Sequence, residues 1–310
     1  MSVGPRAYVT YFDQRYLTFA IIMLRSLRRH DPQAEIFALC FDQTAYEIIA
    51  ELGETNIVIV SSRMIRDFEP GLAAHTDRTR KAFYATHKAV LPLYVLSQRP
   101  DLAAIAHIDA DTCFFSSPAP LFKEIGSASI AISPHGFSKQ YEDRKKFGRF
   151  NAGFIYWRND ADGLRCLADY RVDCFQWCEP QVEPDGRFMN QGYLTQWPQR
   201  YPGTHVIRHP GVNLSWWNIA GHSLTKGDDI VFVDGEPLIF YHFSSLFLDF
   251  FGAWNTFREF GDNLKLGLEA IYGPYLEEVA RTDRWLRKRM PNLMPIERVS
   301  NVPGTAPVHR

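Results

Sequence analysis

Two aspartates, two residues apart at the end of an apolar run, are the first chemistry the chain offers. Ala103 to Ile108 (AAIAHI) has the length of a strand and stops at Asp109-Ala110-Asp111, followed by Thr112 and a short apolar run, Cys113 to Phe115. Alternate residues of an extended chain point the same way, so the two carboxylates can aim at one point. Like charges there repel unless a cation lies between them. Hard divalent ions such as Mg²⁺ and Mn²⁺ prefer oxygen ligands and share one or two carboxylates with substrate phosphates. One reading is therefore a metal-diphosphate site. The other is that both aspartates cap the following turn, as Asp readily does, and so short a pattern does not choose between them.

The elements that must position this pair can be read in order. Ala7 to Phe12 reads as a strand, Tyr16 to His30 as a helix apolar on most of its circumference, and Glu35 to Phe41 as a second strand. Gln43 to Leu52 is a helix and Asn56 to Ser61 a third strand. This alternation predicts a parallel, doubly wound sheet, whose ligands bind beyond the carboxyl ends of its strands. Thr10, Tyr11 and Phe12 occupy that end of the first strand, as a ligand edge or as an ordinary turn into the helix. Residues 63–80 are polar and irregular, and Lys81 to Leu96 has near-helical apolar spacing, with Pro92 predicting a kink or a break. Ser129 to Ser133 reads as a strand. The polar stretch 136–149 holds Lys139, Arg144, Lys145, Lys146 and Arg149, a lid or a solvated loop. Phe150 to Trp157 reads as a strand, Asp160 to Trp177 as a helix, and Gly273 to Met290 as a closing helix before a loosely attached tail.

Four short motifs follow one another in an order that carries a resemblance: D-A-D at Asp109 to Asp111, F-N-A-G at Phe150 to Gly153, N-Q-G-Y at Asn190 to Tyr193, and Y-H-F at Tyr241 to Phe243. Across about Ala7 to Ser245 the chain resembles GT-A nucleotide-sugar glycosyltransferases, especially retaining family 8-like enzymes. The resemblance implies an α/β, GT-A (Rossmann-like) fold with a mostly parallel central sheet flanked by helices. It implies a nucleotide-diphosphate sugar, UDP-sugar favoured, bound by Thr10, Tyr11, Phe12, Lys88, Asp109, Ala110 and Asp111, with Arg80 and Thr86 beside Lys88 on the same helix. Mn²⁺ or Mg²⁺ would be held by Asp109, Asp111 and His242, the last a neutral imidazole at a strand end. Asn190 and Gln191 would stand at the reacting sugar, with Asn190 where the resembled enzymes carry Asp; Asp185 is a carboxylate near enough in sequence to replace it. Asn151, Gly153 and Trp216 would meet the sugar and a glycan or lipid-linked acceptor. Of Trp216 and Trp217, a strand turns only one toward a ligand, and Gly153 either admits a ligand to the backbone or forms a bulge. Ser245 stands where the resembled H-F-x-G motif has glycine, and the Lys-Pro-Trp that usually follows is absent.

A length of 310 residues, 46% of them hydrophobic, suits one large α/β domain or two small ones with a substantial core. We expect a catalytic unit over 1–273, with a donor half to about 125 and an acceptor half from about 126, closed by a helix and tail over 274–310. The net charge of −1 gives no reason to expect nucleic acid as a partner. Five cysteines, odd in number and set among apolar residues, fit a reducing cytosol. Cys174 and Cys178 lack a second pair at zinc-site spacing. The first residues show no charged leader with an apolar core, and no apolar run reaches the roughly 18 residues of a spanning helix. A cytoplasmic protein is expected. The basic end Arg284, Arg287, Lys288 and Arg289 suits peripheral contact with the inner face of an anionic membrane, or simply a favourable helix C-terminus.

The expected function is metal-dependent sugar transfer with retention of configuration. A catalytically silent carbohydrate-binding or scaffold protein on the same fold is the rival that the Asn190 and Ser245 departures allow. A haloacid dehalogenase-type phosphatase also places D-x-D after a strand, but it needs Thr or Val where this chain has Cys113.

Overall fold

The computed structural model describes residues 6–228, 230–246 and 261–293. The chain opens with β1 (Ala7–Phe12), α1 (Leu17–His30), β2 (Glu35–Cys40), α2 (Gln43–Glu51), β3 (Ile57–Ser61), α3 (Ser62–Phe68) and α4 (Arg80–Gln98). It continues through β4 (Ala104–Ile108), β5 (Thr112–Phe114), α5 (Ala119–Ile125), β6 (Ile130–Pro134), β7 (Phe150–Arg158), α6 (Ala161–Gln176) and α7 (Trp197–Arg200). Then come β8 (Thr204–Val206), β9 (Leu224–Lys226), β10 (Val231–Val233), β11 (Glu236–Pro237), β12 (Phe240–His242), α8 (Leu264–Gly267) and α9 (Gly273–Arg289).

Seven strands form one sheet in the order β3-β2-β1-β4-β7-β6-β8. The pairs β3–β2, β2–β1, β1–β4 and β6–β8 are parallel, whereas β7 runs antiparallel to both β4 and β6. The chain winds from β1 to β2 and β3 on one side, then crosses to β4 on the other. Winding thus reverses between β1 and β4, and sheets of this kind take their ligands beyond the carboxyl ends of the strands at such a point. Their register, Tyr8 opposite Ala106 and Val9 opposite His107, sets those ends side by side.

Strand alternation sorts the core into two layers. Tyr8 and Phe12 face the cluster that contains Leu17, Ala20, Leu24 and Ile48 from α1 and α2. Val9 faces Ala89, Val90 and Leu167 from α4 and α6. A third cluster joins Trp216, Trp217, Tyr241 and Phe243 to Tyr275 and Val279 of α9, with Phe243 and Tyr275 stacked at 3.5 Å. The β10–β11 hairpin turns at Asp234-Gly235, both at positive φ (50° and 85°), as a two-residue hairpin turn requires.

The structure departs from the sequence reading in three places. Residues 63–80 are not irregular throughout, for they contain most of α3 and a tight turn over Pro70–His75. α3 buries only Ile65, so it has no apolar stripe to read. α4 continues through Pro92 without a break. Its packing against β1, β4 and α6 outweighs one missing backbone hydrogen bond. The polar stretch after β6 winds into tight helical turns over Lys139–Phe147 with Tyr141 buried. Among the described residues, no helix is long and apolar enough to cross a membrane.

α6 shows how closely helix and sheet are joined. Asp160 caps it, accepting from Gly163 N at 2.8 Å while also accepting from Ser129 Oγ at 2.8 Å. A Cβ on Gly163 would lie 2.1 Å from the Arg158 carbonyl oxygen. Gly163→Ala is therefore expected to lower unfolding free energy by about 1–3 kcal/mol in urea denaturation; an unchanged midpoint would contradict this packing.

Candidate metal and donor site

Asp109 begins where β4 ends. Its amide donates to Gly153 O at 2.9 Å, and its carbonyl closes a turn by accepting from Thr112 N (3.3 Å) and Thr112 Oγ1 (2.9 Å). Main chain and a threonine hydroxyl thus close the turn, and neither carboxylate is spent on capping it. Because the strand stops at Ile108, Asp109 and Asp111 converge through this turn and not through strand alternation. β5 then pairs with β12 in a register that sets His242 opposite Thr112, and Phe243 N donates to Asp111 O at 2.8 Å. One ligand atom each from Asp109, Asp111 and His242 lie within 4.8 Å of one another. His242 Nε2 is 3.1 Å from Asp111 Oδ1 and 3.9 Å from Asp109 Oδ2.

The two oxygens of Asp109 have different work. Oδ1 accepts from Lys88 Nζ at 2.7 Å and from His107 Nε2 at 2.8 Å, while Oδ2 is the oxygen nearer His242. Lys88 is 4% exposed and also donates to Ala152 O at 2.8 Å. Burial acts to raise the Asp109 pKa, but Lys88 and His107 outweigh it and hold the carboxyl well below the usual range. Burial, then Lys88, pushes His107 down to about 4, so its ring is neutral at pH 7 and Nε2–H donates to Asp109. At His242 burial favours the neutral ring, yet Asp111 and then Asp109 overcome it and raise the pKa. Nδ1–H of His242 donates to Asn213 Oδ1 at 3.2 Å, which directs Nε2 toward the carboxylates. Ser215 Oγ donates to the His242 carbonyl at 2.6 Å and fixes the main chain beneath the ring. Two carboxylates and an imidazole oriented through its second nitrogen are a donor set that suits a metal ion.

β7 reaches the site through a bulge, its register with β6 shifting between Ile132 and Ser133. A Cβ on Gly153 would lie 2.7 Å from the His242 ring and 2.6 Å from Asn151 Oδ1. Gly153 thus makes room for the imidazole, where a ligand approaching the backbone was expected. Asn151 is buried; its Oδ1 accepts from Gly153 N at 2.8 Å, and its Nδ2 lies 3.2 Å from His135 Nε2 and 3.3 Å from Gln191 Oε1. Gln191 Oε1 also accepts from Ala152 N (3.1 Å), and its Nε2 donates to Phe147 O (2.9 Å). Asn190 is buried and donates to Ala85 O of α4 at 3.0 Å.

Other expected residues are placed differently. On β1 only Tyr11 is half-buried, its ring 5.4 Å from that of His107 and 5.8 Å from Lys88 Nζ. Thr10 and Phe12 are 0% and 2% exposed and Ala110 packs in the α1-side core, so these side chains, expected at a ligand, are buried. Lys88, expected at a diphosphate, is engaged with Asp109 and Ala152. Trp216 is a core residue and presents no open face. It is buried, donates to Ser244 O at 3.1 Å, and is covered by Tyr141, Trp217 and the Arg144 guanidinium. Asp185 is exposed and bonded to Arg187 Nε at 2.7 Å. His107, outside the expected set, stands two residues before Asp109 and bonds to it from the end of β4. Asn213 lies 29 residues from the ring it orients, and no local signal marks it.

Asn213→Ala is expected to weaken Mn²⁺ affinity by about 10–100-fold in calorimetric titration, as loss of an outer-shell partner does. Unchanged affinity with intact circular dichroism would deny Asn213 this orienting role.

No family model matches the chain. Uncharacterized protein YfnD of Bacillus subtilis (strain 168) is 31% identical over 278 residues, covering 88% of this chain and 88% of YfnD. Uncharacterized protein YfnF of the same organism is 31% identical over 246 residues, covering 77% and 80%. Among solved structures, galactosyltransferase LgtC in complex with donor and acceptor sugar analogs gives a TM-score of 0.53 at 16% identity, covering 76% of this chain and 86% of that one. An active-site Gln-to-Glu mutant of LgtC gives 0.51 at 15% identity with the same coverage. Sequence relationship and shared architecture lead to one conclusion: the chain belongs to the protein family of YfnD and YfnF and has the GT-A glycosyltransferase fold.

Proposed function

We propose that this protein moves a sugar from a nucleotide-diphosphate donor, UDP-sugar favoured, to a glycan or lipid-linked acceptor in polysaccharide assembly. Asp109, Asp111 and His242 would hold Mn²⁺ or Mg²⁺. The observation that carries this reading is the convergence of their ligand atoms within 4.8 Å at the strand ends where the sheet reverses its winding. A bound divalent ion stabilises the negative charge that develops on a departing diphosphate.

The chain's own side chains do the positioning. Lys88 and His107 hold one oxygen of Asp109 and leave the other for coordination, and Asn213 aims the imidazole. Tyr11, between Phe41 and His107, offers an aromatic surface to a nucleotide base. Gln191 is fixed at the edge of β7 by Ala152 and Phe147, where its amide would orient the sugar and favour positive character at the anomeric carbon. Asn190 is an amide bonded to α4 and supplies no carboxylate nucleophile. Retention would then proceed by attack on the face from which the diphosphate leaves, with the leaving phosphate accepting the acceptor's proton. Asn151 would support the sugar through Gln191. Residues 1–273 would form the catalytic unit, with α9 joined to it through buried Leu286, in a cytoplasmic protein working at the inner membrane face.

Calorimetric titration of UDP and of GDP, with Mn²⁺ or with EDTA, tests the donor site. UDP binding should require metal and should be lost in Asp111→Ala. Absence of nucleotide binding, or binding indifferent to EDTA, would overturn the reading in favour of a silent fold. Gln191→Ala should lower the rate of UDP-sugar hydrolysis or transfer by about 10²-fold with UDP–Mn²⁺ affinity retained; an undiminished rate would remove Gln191 from the reacting centre.

A further inference from the structure

The segment 139–149 sets Lys139, Arg144, Lys145, Lys146 and Arg149 against Glu142 and Asp143, a positive excess in a chain whose net charge is −1. Glu142 is taken by Lys145 at 2.9 Å, and no carboxylate pairs with Lys139, Lys146 or Arg149 among the described residues. These cations ride on a bonded scaffold. Gln191 Nε2 donates to Phe147 O at 2.9 Å, His135 Nδ1 donates to Gly148 O at 2.8 Å, and Ser138 donates to Trp217 O from its amide (2.9 Å) and hydroxyl (3.0 Å). A Cβ on Gly148 would stand 3.7 Å from the Gln191 side chain, so Arg149 follows directly on the backbone that borders this glutamine. Phe147 and Phe188, both half-buried, meet at 4.9 Å, and Lys146 Nζ lies 5.4 Å from the Phe147 ring.

We propose that this surface is the acceptor subsite and that it takes a sugar joined to phosphate or diphosphate. The proposal rests on the transferase reading and adds the acceptor's chemical class. Aromatic rings suit the C–H face of a sugar, and cations without carboxylate partners suit phosphate oxygens. A neutral glycan would use the rings and leave Lys139, Lys146 and Arg149 idle. Soluble glycosyl phosphates and lipid-linked sugar diphosphates share this chemistry.

The test uses the full chain loaded with Mn²⁺ and UDP, so that the donor site is filled and its integrity is read first. Hexose 1-phosphates, the matching methyl hexosides, and a short-chain polyprenyl diphosphate hexose in detergent are titrated in turn. Phosphorylated probes should bind about tenfold or more tightly than methyl hexosides. The double variant Lys146→Ala, Arg149→Ala should lose about that factor, with UDP affinity as the check on folding. Binding by the polyprenyl probe alone supports a lipid-linked acceptor, and equal binding by hexose 1-phosphates supports a soluble one. Equal affinity for methyl hexosides, no binding of any phosphorylated probe, or an undiminished double variant would overturn the proposal. Failure of UDP to bind is a separate signal that strikes the donor site.

Discussion

A half-buried carboxylate held charged by two donors is the interaction on which this site depends. Partly withdrawn from water, Asp109 would drift toward its neutral acid, but Lys88 and His107 at 2.7 and 2.8 Å hold it ionised. Both donors fall on the same oxygen, so the charge is stabilised without closing the second oxygen to a metal. The arrangement dictates much of the surrounding fold. β4 must end so that Asp109 follows within reach of His107, and α4 must lie close enough over the sheet for a buried lysine to reach the strand end. Lys88 sits one turn before Pro92, which has no N–H to offer the Lys88 carbonyl. Lys88 is nevertheless anchored at its side-chain end by Asp109 and Ala152, and α4 is held along its length by the core.

Backbone strain gathers around the same centre. Among the described residues, the non-glycine positions at positive φ are Met189 (48°), Asn213 (58°), Asp234 (50°) and Ser245 (62°). Asp234 belongs to a hairpin. The other three flank Asn190-Gln191, orient His242, or follow His242 in the chain. Ser245 keeps a left-handed conformation at the place where the resembled motif has glycine, a strain of about 1–2 kcal/mol for a residue with a Cβ. Such residues persist where surrounding contacts over-determine them. At Asn213 the contacts are visible: its side chain holds the imidazole, and the neighbouring Leu214 accepts from His242 N at 2.8 Å.

The parallel strands and their helices were legible because burial imposes period two or near-helical spacing on local sequence. Asp109, Asp111 and His242 were legible because strand ends in such a sheet are where ligands bind, and because the resemblance supplied the distant histidine. What could not be read depended on long-range pairing. Lys88 and Trp216 have residue types that suit phosphate and sugar, yet a contact 21 residues away claims the lysine and three covering side chains claim the tryptophan. At Gly153 the absence of a Cβ matters, as its sequence context implies, but the group that needs the space is the His242 ring. His107 required only that strand alternation be applied one step earlier.

Crystals grown with Mn²⁺ and UDP, measured for anomalous scattering at the manganese edge, would test the central claim most directly. The account predicts one strong peak roughly 2 Å from an oxygen of Asp109, an oxygen of Asp111 and Nε2 of His242, with Lys88 and His107 still on the other oxygen of Asp109. A peak elsewhere, or a fully occupied UDP with no metal between these three side chains, would contradict it.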